Sequence, residues 1–241
     1  MGPAVANEHA QGCLVCGVEL AYAQSASPAT CAVCGVVEPS TARCTDGHYV
    51  CDACHSGSAK DVIERACRVH VGGDPVTLAT ALMRHPAVKM HGPEHHFLVP
   101  AALLATWASA TGVTDREGLL AEARRRSDSV VGGSCGFHGA CGSGVGVGIF
   151  ASLATGATPR SGPSWGQANR ATARALQTIG DVGGPRCCKR TSWLALLSGI
   201  RFAREELGVT LAGRGPRCEF HQRNDDCLER ECPFYPAAAA V

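Results

Sequence analysis

The sequence is poor in aromatic residues: Phe, Trp and Tyr make up 5% of its 241 positions. A core built mainly on stacked rings is excluded, and 29 glycines point instead to helices packed closely through small residues. No charge excess exists either, since 22 Lys and Arg face 21 Asp and Glu for a formal net charge of +1. That balance argues neither for nor against a highly charged partner. Long apolar runs are missing. The longest uncharged stretches, Phe97 to Thr114 and Cys135 to Thr158, are broken by Gly, Ser, Thr or Pro, whereas a spanning helix needs about 20 firmly apolar residues. No membrane span is expected. Met1 to His9 has neither the basic start nor the apolar run of a secretory leader, so a reducing cytoplasm is the expected location. Hydrophobic content of 45% excludes disorder as the default, and the length suits one medium domain plus a small module.

What the chain has in excess is cysteine. Fifteen residues, an odd number, cannot all pair within one chain, and in a reducing compartment clustered thiols bind metal or do redox chemistry. Cys13-x2-Cys16 and Cys31-x2-Cys34 form two knuckles, followed by Cys44, His48 and Cys51-x2-Cys54, with His55 adjacent as a spare or substitute. A two-residue gap lets both sulfurs of a knuckle face one ion, and four ligands complete a tetrahedral zinc site. Eight candidates fill two sites. A cross-braced grouping joins Cys13, Cys16, Cys44 and His48, and separately Cys31, Cys34, Cys51 and Cys54. A ribbon of the first two knuckles is the alternative, a disulfide framework is the plain rival, and iron can replace zinc on thiolates. Gly17 and Gly35 each follow a knuckle where positive φ is often needed. This segment has few large apolar residues, so metal has to stand in for a core.

From Ser58 the pattern becomes helical. The expected fold is mostly α: a small zinc-knuckle module over residues 1–57, an all-helical domain over 58–236 and a disordered tail over 237–241. Ser58 caps a helix to Cys67, and Asp74-Pro75 starts one running to about Arg84. Pro100 to Ala110 reads as a short apolar helix, and Thr114 with Glu117 as a capping box leading to Arg126. Gly139 to Thr155 reads as a buried small-residue helix. Ser164 caps Trp165 to Ile179, whose inward face is Trp165, Ala168, Thr172, Ala175, Leu176 and Ile179. Lys189 to Leu207 places Trp193, Leu194, Leu197 and Ile200 inward. After Ser58 no strand pattern is longer than Val209-Thr210-Leu211.

Several groups in this part carry chemistry. His91-Gly92-Pro93-Glu94-His95-His96 gathers three imidazoles and a carboxylate, suited to metal binding or acid–base work; hydrogen-bonded histidines at a helix entry are the bland reading. Gly132 to Gly142 is a glycine-lined turn holding Cys135 and Cys141, and a thiol at a helix N-terminus lies in positive potential. Gly183-Gly184-Pro185-Arg186-Cys187-Cys188-Lys189-Arg190 repeats that device, with basic residues expected to lower the thiol pKa values. Cys218-x8-Cys227-x4-Cys232-Pro233 is the irregular spacing of an iron–sulfur loop needing a distant fourth ligand, for which Cys187 or Cys188 is available; a third zinc is the alternative. Asn169 and Arg170 are read as cofactor- or substrate-binding residues, against ordinary helix–helix hydrogen bonding. Cys67 is read as core.

The run Cys44-x3-His48-Tyr49-Val50-Cys51-Asp52-x-Cys54-His55, the His91 to Pro100 segment, Gly133-x-Cys135-Gly136-Phe137-x-Gly139-Ala140-Cys141-Gly142, Gly156-Ala157-Thr158-Pro159, Trp165-Gly166-x-Ala168-Asn169-Arg170, Gly184 to Arg190 and Asn224-x2-Cys227-x4-Cys232-Pro233-Phe234 together resemble a cysteine-rich family of unknown function. That family is associated with methanogens and anaerobic bacteria and is sometimes fused to methyltransferase-like domains that use S-adenosylmethionine. The resemblance implies anaerobic metal or sulfur chemistry and supplies no reaction. This chain carries no methyltransferase domain, so such a partner would be separate.

The functional expectation is a metalloenzyme of thiol redox or sulfur transfer, acting on a small-molecule or protein thiol. Cys135, Cys141, Cys187 and Cys188 are expected to line one pocket, with His91, Glu94, His95 or His96 as acid–base groups or ligands and Cys218, Cys227 and Cys232 on an iron–sulfur cluster. The rival is a non-enzymatic metal-binding adaptor that docks a partner enzyme such as a methyltransferase. Nucleic-acid binding by the knuckles is disfavoured, because Cys13 to His55 lacks basic residues interleaved with aromatics.

Overall fold

The computed structural model describes residues 13–16, 18–51, 54 and 58–236. His55, Gly17 and the tail over 237–241 lie outside them. The first described part is a hairpin: β1 (Leu20–Thr30) pairs antiparallel with β2 (Val37–Cys44), Leu20 opposite Cys44 and Thr30 opposite Val37, with a register shift between Tyr22 and Ser27. The turn joining the strands holds Cys31 and Cys34, and Gly35 takes φ +73° there. Those strands were not anticipated from the sequence, because Ala, Ser and Pro dominate β1 and none favours a strand.

Eight α-helices are described after the hairpin. They are α1 (Ala59–Val69), α2 (Pro75–Arg84), α3 (Glu94–Thr111), α4 (Arg116–Asp128), the single turn α5 (Ser134–Phe137), α6 (Gly142–Thr155), α7 (Pro163–Val182) and α8 (Cys188–Leu207). Ser58 caps α1 by accepting from Asp61 N–H, and Asp74 caps α2 by accepting from Val76 and Thr77, with Pro75 at the first helical position. The cap of α4 is Asp115, accepting from Gly118, one residue beyond the Thr114 expected. Val209 to Leu211 forms no strand. Trp165 is exposed, so the buried face of α7 turns on Ala171 and Ala175 instead.

The long helix α3 is the axis of the domain and packs against α1, α2, α4, α6 and α8. It runs through Pro100, which cannot donate to the carbonyl of His96. Ser127 Oγ of α4 lies 3.2 Å from that carbonyl and 2.7 Å from Ala123 O, so its single hydrogen is shared between the two acceptors. Helix α6 lies almost directly on its neighbours. A Cβ on Gly142 would come within 2.1 Å of the His96 ring, and one on Gly148 within 1.9 Å of Thr172 Oγ1. The C-terminal segment, containing 3-10 turns at His221–Arg223 and Glu229–Glu231, is pinned to α8 by aromatic contacts. Trp193, fully buried, stacks on Phe220 at 6.0 Å and meets Phe234 edge-on at 5.3 Å. Among the described residues no helix is long and apolar enough to cross a membrane.

Candidate metal centres and a glycine-walled thiol pocket

The hairpin brings together residues far apart in sequence. Cys13, Cys16, Cys44 and His48 form one tetrad and Cys31, Cys34, Cys51 and Cys54 another, all four ligand atoms in each lying within 4.8 Å of one another. This is the cross-braced grouping, not the ribbon. Four thiolates at roughly 2.3 Å from a tetrahedral ion stand about 3.8 Å apart. Cys16 and Cys44 sulfurs are 3.8 Å apart, and Cys34 and Cys51 sulfurs 3.7 Å. His48 Nδ1 is 3.4 Å from the Cys44 sulfur. Fifteen cysteines are free of disulfides, and these eight residues could hold two metal ions, compatible with zinc.

The protonation of the tetrads fits that purpose. Burial pushes the Cys31 thiol up, but N–H groups of Cys51, Cys34 and Val33 outweigh it and bring the pKa to about 7. Cys44 reaches about 7 as well, burial again being outweighed by the N–H of His48 and by hydrogen bonds from its neighbours. Cys54 is driven up by burial and by the adjacent thiols Cys34 and Cys51. One sulfur per tetrad ionises readily and the next resists, because like charges cannot share a site without a cation.

The helical domain holds a second site. A pocket of about 420 Å³ is enclosed by the entry to α3, the turn around α5, the N-termini of α6 and α8, and the end of α7. Nine of its lining residues are glycine, so main chain rather than side chains shapes the wall. Cys135, Cys141, Cys188, His96, Arg186 and Arg190 all reach it. The first turns of α6 and α8 touch there, Ser143 Oγ lying 3.4 Å from Thr191 Oγ1. His96 Nδ1 donates to Val130 O at 3.1 Å, which leaves Nε2 as the lone-pair nitrogen, and burial lowers its pKa so the ring is neutral.

Other expected site residues lie elsewhere. Cys187 does not line that pocket; it lines a separate small cavity with Cys218, Cys227 and Cys232. His91 Nε2 donates to Asn224 Oδ1 at 3.0 Å, tying the segment before α3 to the C-terminal segment. Glu94 and His95 are buried outside the pocket lining: Glu94 accepts from Lys89 N–H at 2.9 Å, and His95 Nδ1 donates to Gly92 O at 3.2 Å. Asn169 donates to Trp165 O, and Arg170 pairs with Glu206 at 3.2 Å, bracing α7 against α8; neither lines the thiol pocket or the four-cysteine cavity.

The expected lowering of the vicinal thiols is contradicted. Burial raises Cys187, and raises Cys188 to about 11 despite the Gly92 N–H and Arg186 acting against it. Lys189 points into the core, Nζ donating to Val88 O at 3.1 Å and Met83 O at 3.3 Å, and its burial brings its own pKa down to about 8. Sequence reading missed Arg190 as a wall of both cavities. Its place in the first turn of α8, three residues beyond Cys187, was the available clue.

Fold and sites define a mostly helical protein carrying cysteine tetrads that could bind metal. The chain belongs to a family of unknown function, DUF5714, which matches residues 63–235. That span includes the thiol pocket and the four-cysteine cavity and begins after the tetrads. No curated protein matches the chain. No solved structure matches it either.

Proposed function

We propose that this protein is a cytoplasmic metalloenzyme of thiol redox or sulfur-transfer chemistry, with two structural zinc ions in the tetrads and an iron–sulfur cluster at Cys218, Cys227 and Cys232. The observation that carries the reading is the convergence of Cys135, Cys141, Cys188 and His96 on one glycine-walled pocket. Glycine walls leave backbone N–H groups uncovered, and the substrate, a small thiol or a thiol-bearing segment of a protein, would lie against them. Cys188 is the reacting thiol. Its raised pKa keeps it protonated at neutral pH, so a base has to accept its proton as it attacks a disulfide form of that substrate, one S–S bond forming as another breaks and the displaced sulfur leaves as a thiolate, and neutral His96 is the pocket's available acceptor.

The test is site-resolved alkylation of the folded, metal-loaded chain across pH. Cys188 should react faster than its raised pKa allows for a free thiol, and His96→Gln should slow it at least tenfold with little change at Cys135. Equal rates in both proteins would sink the acid–base role. A second reading, an adaptor docking a partner enzyme such as a methyltransferase, is favoured by one observation. Val36, Val37, Val69 and Val71 are exposed, and Gly35 lies against Val69, which groups apolar surface where the hairpin meets α1. On that reading Cys188 is inert, and Val37→Asp abolishes partner binding.

A further inference from the structure

The structure assigns a fourth ligand to the C-terminal thiols. Resting on the metal–sulfur reading above, we propose that Cys187, Cys218, Cys227 and Cys232 together hold the iron–sulfur cluster, and that Cys188, one peptide bond away, remains a thiol of the pocket. The cluster would then adjoin the substrate pocket, as an electron carrier serving it should.

Placement separates the two vicinal cysteines. Cys187 precedes α8 with extended backbone, φ −142° and ψ 104°, while Cys188 is the first helical residue. The change of conformation turns their side chains apart, so Cys187 joins the C-terminal thiols and Cys188 lines the pocket.

Spacing disfavours a single tetrahedral ion at these thiols. In each N-terminal tetrad the ligand atoms lie within 4.8 Å of one another, whereas no three of these four thiols meet that condition. One tetrahedral ion requires sulfurs about 3.8 Å apart. A cluster binds each thiolate through a different iron and so spreads them. The free space between them is about 10 Å³, about that of one water, so loading has to move the turns carrying Cys227 and Cys232 outward between the Phe220 and Phe234 anchors on Trp193.

Backbone N–H groups are directed at three of the four sulfurs. Cys187 accepts from Arg190 N–H at 3.5 Å, Cys218 from Phe220 N–H at 3.4 Å and Cys227 from Glu229 N–H at 3.3 Å. The N-terminal tetrads show the same pattern, Cys13 accepting from Val15 and Cys44 from His48. Such N–H···S contacts favour the thiolate and tune a cluster. Arg190, 2% exposed, lines this cavity with its Nε unpartnered, and His221 lines it with a buried, unpartnered Nδ1. Buried donors without acceptors are costly, and a negatively charged cluster would supply what they lack.

The experiment is anaerobic reconstitution of the full chain with ferrous iron and sulfide, read by iron and sulfide content, visible absorption and electron paramagnetic resonance after reduction. The wild type and Cys188→Ser should take up equal cluster. Cys187→Ser and Cys227→Ser should lose most of it while keeping the wild-type helical circular dichroism. Full uptake by Cys187→Ser would overturn the assignment, as would zinc alone at these thiols in the wild type. Loss of helical signal in Cys187→Ser shifts the decision to Cys227→Ser, which lies outside the helices. Cluster loss leaves the alkylation of Cys188 to be judged separately, so failure here and failure of the pocket reading are distinguishable.

Discussion

His95 has no exposed surface, and burial with the nearby Lys189 charge lowers its pKa to about 3. It is therefore neutral in the fold, yet an unfolded histidine binds a proton below about 6.5. Between these values the unfolded chain binds more protons, so stability is fully present above pH 6.5 and falls as pH drops toward 3. The slope for one such residue is about 1.4 kcal/mol per pH unit. His95→Gln keeps a donor for Gly92 O and cannot titrate. Denaturant midpoints of Trp fluorescence between pH 4 and 6.5 should fall less steeply in that variant than in the wild type; parallel profiles would refute the assignment. The other residue-scale lesson is Cys187 and Cys188. Their adjacency was plain in the sequence, but which cavity each faces depends on a single change of backbone conformation at a helix start, which spacing does not encode.

At the scale of elements, local chemistry was the most legible. The caps Ser58 and Asp74 stand where their residue types require, because capping involves only the next three residues. Long-range demands were not legible. Pro100 suggested a helix beginning there, whereas α3 starts at Glu94 and passes through it, with the Ser127 hydroxyl of α4 beside the freed carbonyl of His96. Ser127→Ala removes the hydroxyl shared by His96 O and Ala123 O and should cost about 0.5–1.5 kcal/mol, measured by equilibrium unfolding. The small-residue reading of α6 agrees with its contacts. Gly148→Ala would force Thr172 and α7 away and should destabilise by about 1–3 kcal/mol, although alanine is the better helix former. A stabilised variant would show that α6 and α7 are not packed this closely. The hairpin was illegible because β1 is held by pairing and by the cysteines at its ends rather than by its own residues.

On the scale of the molecule, two parts are organised differently. The helical domain has an apolar core centred on α3, while the N-terminal part has a cluster whose buried members are Cys31, Cys51 and Cys54. A core made of thiols is held by what the thiols bind. Chelation should therefore expose the tetrad cysteines to alkylation and leave most helical circular dichroism in place. Knuckle spacing made the eight ligand candidates readable, because it is local, but their cross-braced grouping depends on the hairpin closing. The parts also touch: His85 Nε2 of the helical domain lies 3.0 Å from Cys54 O.

The central claim is that three groups of thiols hold metal, two as single ions and one as a cluster. Metal and acid-labile sulfide analysis of the anaerobically purified chain tests it most directly. The account predicts two zinc ions per chain, with iron and sulfide in equal amounts. A chain that carries no zinc, or that stays colourless and free of sulfide after anaerobic reconstitution, would contradict it.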